Sequence, residues 1–94
     1  MYQYIITPTA QRQLDYEIGY SKKHWGVAHG NKYKHEIMKH VRNIAKQPKL
    51  YPLKPEFGND VRGMRYKGNY ILYSVDERQK LIIIAGFPSI YKQK

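Results

Sequence analysis

Cysteine is absent from this 94-residue chain, which removes disulfides, thiolate metal sites and cysteine nucleophiles together and leaves packing alone to hold the fold. No apolar run approaches the roughly eighteen residues needed to span a bilayer, and the opening MYQYIITPTAQRQ has neither the basic leader nor the apolar stretch of a signal peptide. A cytoplasmic protein with no membrane association is therefore expected. Glycine-rich phosphate loops are missing. The serines, Ser21, Ser74 and Ser89, do not sit in a Gly-x-Ser-x-Gly elbow. Histidines at 24, 29, 35 and 40 are spaced by five, six and five residues, so no two share a helical face with ligand geometry, and neither a metal nor another cofactor is expected. Acids are scarce as well.

That last shortage is the most informative. Seventeen Lys and Arg stand against seven Asp and Glu, a net charge of +10 with histidines neutral. Solubility needs only a net charge of about 2 to 8, and the excess costs self-repulsion that a polyanion or an acidic protein would relieve. The length fits one domain, residues 1–94, with one modest core. No repeat, linker or low-complexity tract divides it.

The order of elements is a strand, two helices and three strands. Residues 2–6, YQYII, are β-branched and aromatic. Thr7 then occupies an N-cap position ahead of Pro8 in the first helical turn. The first helix runs to about His24, with Ala10, Leu14 and Ile18 at spacing four on its apolar side. Trp25-Gly26 turns the chain. A second helix from about Ala28 to Gln47 places Tyr33, Ile37, Val41, Ile44 and Ala45 at helical spacing, and Pro48 closes it. The prolines and glycine of KLYPLKPEFGND predict an ordered loop. Strands over 61–66, 69–75 and 80–85 are separated by Lys67-Gly68 and by Asp76-Glu77-Arg78-Gln79, which are hairpin-length connections. The expected fold is α+β: an N-terminal strand and an antiparallel helix hairpin packed on a C-terminal three-stranded antiparallel meander. LIIIA, apolar on both faces, belongs inside the sheet, and the tail GFPSIYKQK reads as an irregular extension that packs Phe87, Ile90 or Tyr91.

Two basic clusters are candidate sites. On the second helix His35, Lys39, Arg42 and Lys46 recur at intervals of four, three and four as a cationic ridge opposite the apolar stripe, which Lys49 and Lys54 are expected to extend into the loop. On the strands, alternation puts Arg65 and Lys67 on one face with Gly63 and puts Arg62, Met64 and Tyr66 on the other. An arginine fork beside a lysine suits a phosphate, and cations on an edge strand also guard against aggregation. The ten tyrosines include Tyr51, Tyr66, Tyr70 and Tyr91 beside cations or proline, where rings can stack on bases; the commoner role of tyrosine is a core edge with a wet hydroxyl.

Together these strings resemble the RelE/ParE toxins of bacterial type II toxin–antitoxin systems over essentially the whole chain. YSKKHWGVAHGNKYKHEI (20–37) is similar to the end of the first helix, the Trp-Gly joint and the early aromatic of the ParE branch. IAKQPKLYP (44–52) is similar to the family's helix end and loop, and VRGMRYKGNYILYSVD (61–76) to its strand pair, with Arg65, Gly68, Tyr70 and Tyr73 in place. The resemblance implies a plasmid-stabilising toxin, held by a cognate acidic antitoxin, that inhibits DNA gyrase by binding and performs no chemistry. For the antitoxin or target it points to Lys39, Arg42, Lys46, Lys49, Lys54, Arg62, Arg65 and Lys67. The alternative implied by the RelE branch is an endoribonuclease that cuts mRNA on the ribosome, using Arg65, Lys67 and Tyr91. Nuclease members usually carry an arginine where this chain has Ile71, and basic groups after the last strand where it has Ala85-Gly86-Phe87-Pro88.

Overall fold

In the computed structural model, which describes residues 1–90, the chain runs β1 (Gln3–Ile6), α1 (Pro8–Trp25), α2 (Val27–Lys46), a 3-10 turn (Pro55–Phe57), β2 (Arg62–Tyr66), β3 (Asn69–Asp76) and β4 (Leu81–Gly86). Local chemistry starts and stops the helices. The Thr7 hydroxyl accepts the Ala10 N–H at 3.2 Å, and Pro8 occupies the first turn, where its missing N–H costs nothing. Gly26 alone joins the two helices: its φ of 102° is open to glycine and strained for other residues. Gly30, one turn into α2, lets the helices approach closely. A Cβ there would meet Lys22 Cγ at 2.3 Å and the Ile18 carbonyl oxygen at 3.2 Å.

The sheet order is β1-β4-β3-β2. The meander is antiparallel as expected, and β4 lies inside the sheet. Beyond that expectation, β1 is the fourth strand, pairing parallel to β4 with Tyr4 opposite Ile82 and Ile6 opposite Ile84. A bulge between β3 and β4 lets Leu72 pair with Gly86 while Tyr73 pairs with Ile84, which leaves Ala85 as the extra residue. The described part of the segment after β4 is irregular and buries Phe87, as expected. It continues beside β3, with the Tyr70 N–H donating to the Pro88 carbonyl and the Ile90 N–H to the Gly68 carbonyl, both at 2.9 Å. The edge of β2 is covered by the loop: the Gly63 N–H donates to the Pro52 carbonyl at 3.2 Å and the Lys54 N–H to the Val61 carbonyl at 2.7 Å.

Both helices lie on one face of the sheet. The apolar stripes read from the sequence meet Ile71, Tyr73, Ile82, Ile84 and Phe87 in one core, and burial of this kind stabilises by about 1.5–3 kcal/mol per large side chain. Among the described residues the buried side-chain polar atoms are paired except His40 Nδ1. Asn69 accepts from the Tyr33 hydroxyl at 2.9 Å and donates to the Phe87 carbonyl at 3.0 Å. Gln13 accepts the Phe87 N–H at 2.7 Å, and the Tyr73 hydroxyl donates to the Pro48 carbonyl at 2.8 Å, tying the end of α2 to the sheet. These tyrosines thus have the buried ring and partnered hydroxyl expected of core-edge residues. No described helix is long and apolar enough to cross a membrane.

Candidate functional site

The described surface presents two helix faces of opposite character. On α2, His35, Lys39, Arg42 and Lys46 are all exposed. At about 100° per residue they fall opposite the buried stripe of Tyr33, Ile37, Val41 and Ile44. The helix carries five Lys or Arg and one acid, Glu36. Among the described residues the ridge cations make no ion pair. Glu36 is turned to the flank, where it accepts a hydrogen bond from the Tyr66 hydroxyl. That bond, with Lys67 and Lys32 nearby, holds its carboxyl below the usual range. Burial, with the carboxylate partner, pushes the Tyr66 phenol up to about 12. The Tyr66 ring is also flanked by His40, with ring centroids 4.9 Å apart, and by Tyr33 at 5.9 Å.

The α1 surface is nearly balanced in charge, with Arg12, Lys22 and Lys23 against Asp15 and Glu17. It exposes aromatic rings instead. Tyr16 (56 % exposed), Tyr20 (47 %) and His24 stand at intervals of four, with centroids 6.4 and 4.0 Å apart. Trp25 (66 % exposed) and Val27 continue this surface at the joint, and Trp25 lies 6.1 Å from the His29 ring. Beside Tyr16 a shallow groove of about 360 Å³ opens between α1 and the tail, lined by Arg12, Gln13, Glu17, Phe87 and Pro88. This aromatic face was not singled out from the sequence, although the spacing of 16, 20 and 24 carried the signal.

The remaining candidate cations are dispersed. Lys49 does not extend the ridge: after Pro48 the chain turns toward the sheet, and the Lys49 ammonium pairs with Glu77 at 3.2 Å. Glu77 also accepts from the Tyr2 hydroxyl at 2.8 Å, and the two contacts hold its carboxyl below the usual range, the tyrosine bond foremost. Lys54 does not extend the ridge either, because its backbone pairs with Val61 and its stem lies over Gly63. Arg62 sits on the core side of β2 as alternation predicts, but its guanidinium donates to the Tyr51 carbonyl at 2.8 Å and fastens the loop. Arg65 is exposed on the opposite side, paired in register with Tyr70, whose ring meets Phe57 edge-on at 5.3 Å. Lys67 does not share the Arg65 face. The strand ends at Tyr66, Lys67 takes φ 52° in the turn, and its ammonium lies 5.6 Å from the centre of the Tyr66 ring. Tyr91 lies outside the described residues. Among the described residues no group of three or more His, Asp or Glu is placed to hold a metal.

The fold compares closely with solved toxins. A structure described as the chromosomal ParDE toxin–antitoxin system from P. aeruginosa matches with a TM-score of 0.80 at 17% identity, over 96% of this chain and 97% of that one. The isolated E. coli RelE toxin matches with a TM-score of 0.69 at 10% identity, over 100% and 89% of the two chains. A chain of the RelBE2 toxin–antitoxin complex from Mycobacterium tuberculosis gives 0.57 at 19% identity, over 94% and 96%. No curated protein matches by sequence. At these identities the structures establish the fold alone. The sequence itself matches, over residues 4–86, the family model described as the ParE toxin of the type II toxin–antitoxin system parDE. That match takes in both helix faces and all four strands, and on it the chain belongs to the ParE toxin family.

Proposed function

We propose that this chain inhibits DNA gyrase by binding it, and that a cognate acidic antitoxin neutralises it by covering the docking face. The observation that carries the proposal is the exposed aromatic face of α1. Tyrosine and tryptophan on a rigid helix supply large contact area at small entropic cost, and such rings dominate protein–protein binding energy. An antitoxin segment that folds on binding would bury Tyr16, Tyr20 and Trp25 and place its acids against Arg12 and Lys23, with Arg65 and Lys54 within reach of a chain that wraps the sheet.

The residues favour binding over strand cleavage. Ile71, at the place of the arginine usual in nuclease members, is fully buried on the core side, and Arg62 is committed to the loop carbonyl. Arg65 and Lys67 are directed to different surroundings, so no described pair forms the phosphate clamp that in-line attack by a 2′-hydroxyl requires. A second reading, a ribosome-dependent endoribonuclease, draws on Arg65 beside Tyr70 and Phe57, a cation next to rings on which a base can stack.

Supercoiling by purified gyrase, titrated with the full chain, tests the choice. The expected result is loss of supercoiling with accumulation of cleaved DNA, while messages on translating ribosomes stay whole. Messages cut within codons, with cutting abolished by Arg65→Ala and supercoiling undisturbed, would replace the first reading with the second.

A further inference from the structure

The α2 ridge differs from a protein-docking face in one decisive respect: it has no apolar anchor. From Ala28 to Lys46 no large hydrophobic side chain is exposed, whereas stable protein interfaces place their energy in buried aromatic or aliphatic centres. The ridge offers only charge. His35, Lys39, Arg42 and Lys46 line one side of a helix, and the eleven steps from the first to the last span about 16 Å at 1.5 Å each. That length covers roughly five phosphates of one strand at 3.4 Å of axis each. The cations are free of ion pairs among the described residues, and the only acid of the helix is occupied by the Tyr66 hydroxyl on the flank. Neutralising phosphates releases condensed counterions, which favours binding without any apolar contact. Single-stranded nucleic acid is a poorer fit, because its binding relies on a succession of rings to stack the bases and the ridge carries one imidazole, His35, with no Tyr, Trp or Phe.

We infer that the outer face of α2 is a sequence-independent binding surface for the phosphate backbone of duplex DNA. Lys39, Arg42 and Lys46 are its phosphate contacts, with His35 at the N-terminal end of the ridge. The surface is separate from the aromatic face of α1, and the inference holds or fails without reference to gyrase, because DNA binding is read on the toxin alone.

The test is the anisotropy of a labelled 20-base-pair duplex titrated with the full chain between 50 and 200 mM KCl. Neutralising three phosphate contacts by Lys39→Gln, Arg42→Gln and Lys46→Gln together should flatten the log–log salt slope by about 2.7. Lys39→Arg with Lys46→Arg should leave the slope unchanged. The matched loss of three cations from α1, by Arg12→Gln, Lys22→Gln and Lys23→Gln, should flatten it by less than about 1. Thermal unfolding of each variant separates lost binding from lost fold, and Arg42→Gln alone, which should flatten the slope by about 0.9, keeps the ridge testable should the neutral triple variant unfold. Equal effects of the two triple variants would overturn the inference by reducing it to bulk charge. Tighter binding of a single strand of the same length would overturn it, as would tighter binding of polyglutamate, which would assign the ridge to an acidic protein.

Discussion

The two helices of the hairpin are close in length, with 18 and 20 residues, and share a helical spacing of apolar residues and a common core, yet their outer faces have little in common. α1 is almost neutral and shows tyrosine and tryptophan rings; α2 carries five cations against one acid and exposes no Tyr, Trp, Phe or large aliphatic group beyond its first residue. Binding energy from rings is short-ranged and nearly indifferent to salt, whereas energy from a cationic ridge is long-ranged and falls with ionic strength. One small fold can in this way keep a specific protein contact and a non-specific polyanion contact about a helix diameter apart, without a second domain. The buried side of each helix is constrained by the core, so the outer sides are where the two could diverge.

The largest effect expected from this division is on the α1 side. Replacing Tyr16 and Tyr20 together by serine removes two exposed rings. If they anchor the antitoxin, the loss is about 2 kcal/mol or more for each ring, a thousandfold or greater drop in affinity. Calorimetry of the variant against the antitoxin at 50 and 300 mM salt should show that drop at both. A drop that appears only at low salt would mean that charge governs this face too, and the contrast between the helices would disappear.

A smaller effect is expected where the helices meet. Gly30→Val puts a branched side chain where a single Cβ would already lie 3.2 Å from the Ile18 carbonyl oxygen and from the Lys22 N–H. Lys22 can swing away, but those backbone atoms cannot, so the hairpin should lose about 1–3 kcal/mol. In a domain of this size each 1 kcal/mol lowers Tm by roughly 4–8 °C. Because the crossing fixes both outer faces relative to one another, the variant should lose antitoxin binding and DNA binding in proportion to its unfolding. Loss of one alone would show that the faces do not depend on a common hairpin geometry.

What could be read in advance follows the range of the interaction. The capping of α1 by Thr7 and Pro8, the stop at Pro48, the buried stripes and the helical part of the ridge all rest on residues within one or two turns of their neighbours, and the structure has them as predicted, whereas the extension through Lys49 and Lys54 fails where the chain leaves the helix. The parallel pairing of Tyr4 with Ile82 joins residues 78 apart, and no local pattern specifies it. Lys67 shows a different limit: alternation holds only while the strand continues, and a left-handed turn residue redirects its side chain. The irregular tail after Gly86 packs Phe87 as expected, but the groups that fix it there have no local signal: Asn69 and Gln13, far away in sequence, satisfy both backbone groups of Phe87. On α1 the tyrosines repeat with the same period as the core residues Ala10, Leu14 and Ile18, and a pattern used to find the core gives no attention to a second stripe beside it.

The smallest expected effect lies on the flank of α2, where the Tyr66–Glu36 bond ties β2 to the helix. The Glu36 carboxyl is held below its ordinary value of 4.5, so its contribution to stability is complete above that value and is lost as pH falls through the folded value. The Tyr66 phenol is raised from 10.0 to about 12, so its contribution is complete below pH 10 and is lost as pH rises through about 12. Tyr66→Phe should therefore lower Tm slightly at neutral pH, flatten both limbs of the Tm–pH curve, and remove one late-titrating phenolate from the absorbance at 295 nm. Protonating Glu36 also removes the only negative charge of α2, so DNA affinity should rise modestly below pH 4.5 in the parent. In Tyr66→Phe, where the carboxyl returns toward its ordinary value, the same rise should begin at a higher pH. Identical onsets in the two proteins would mean that the acid on the flank does not modulate the ridge.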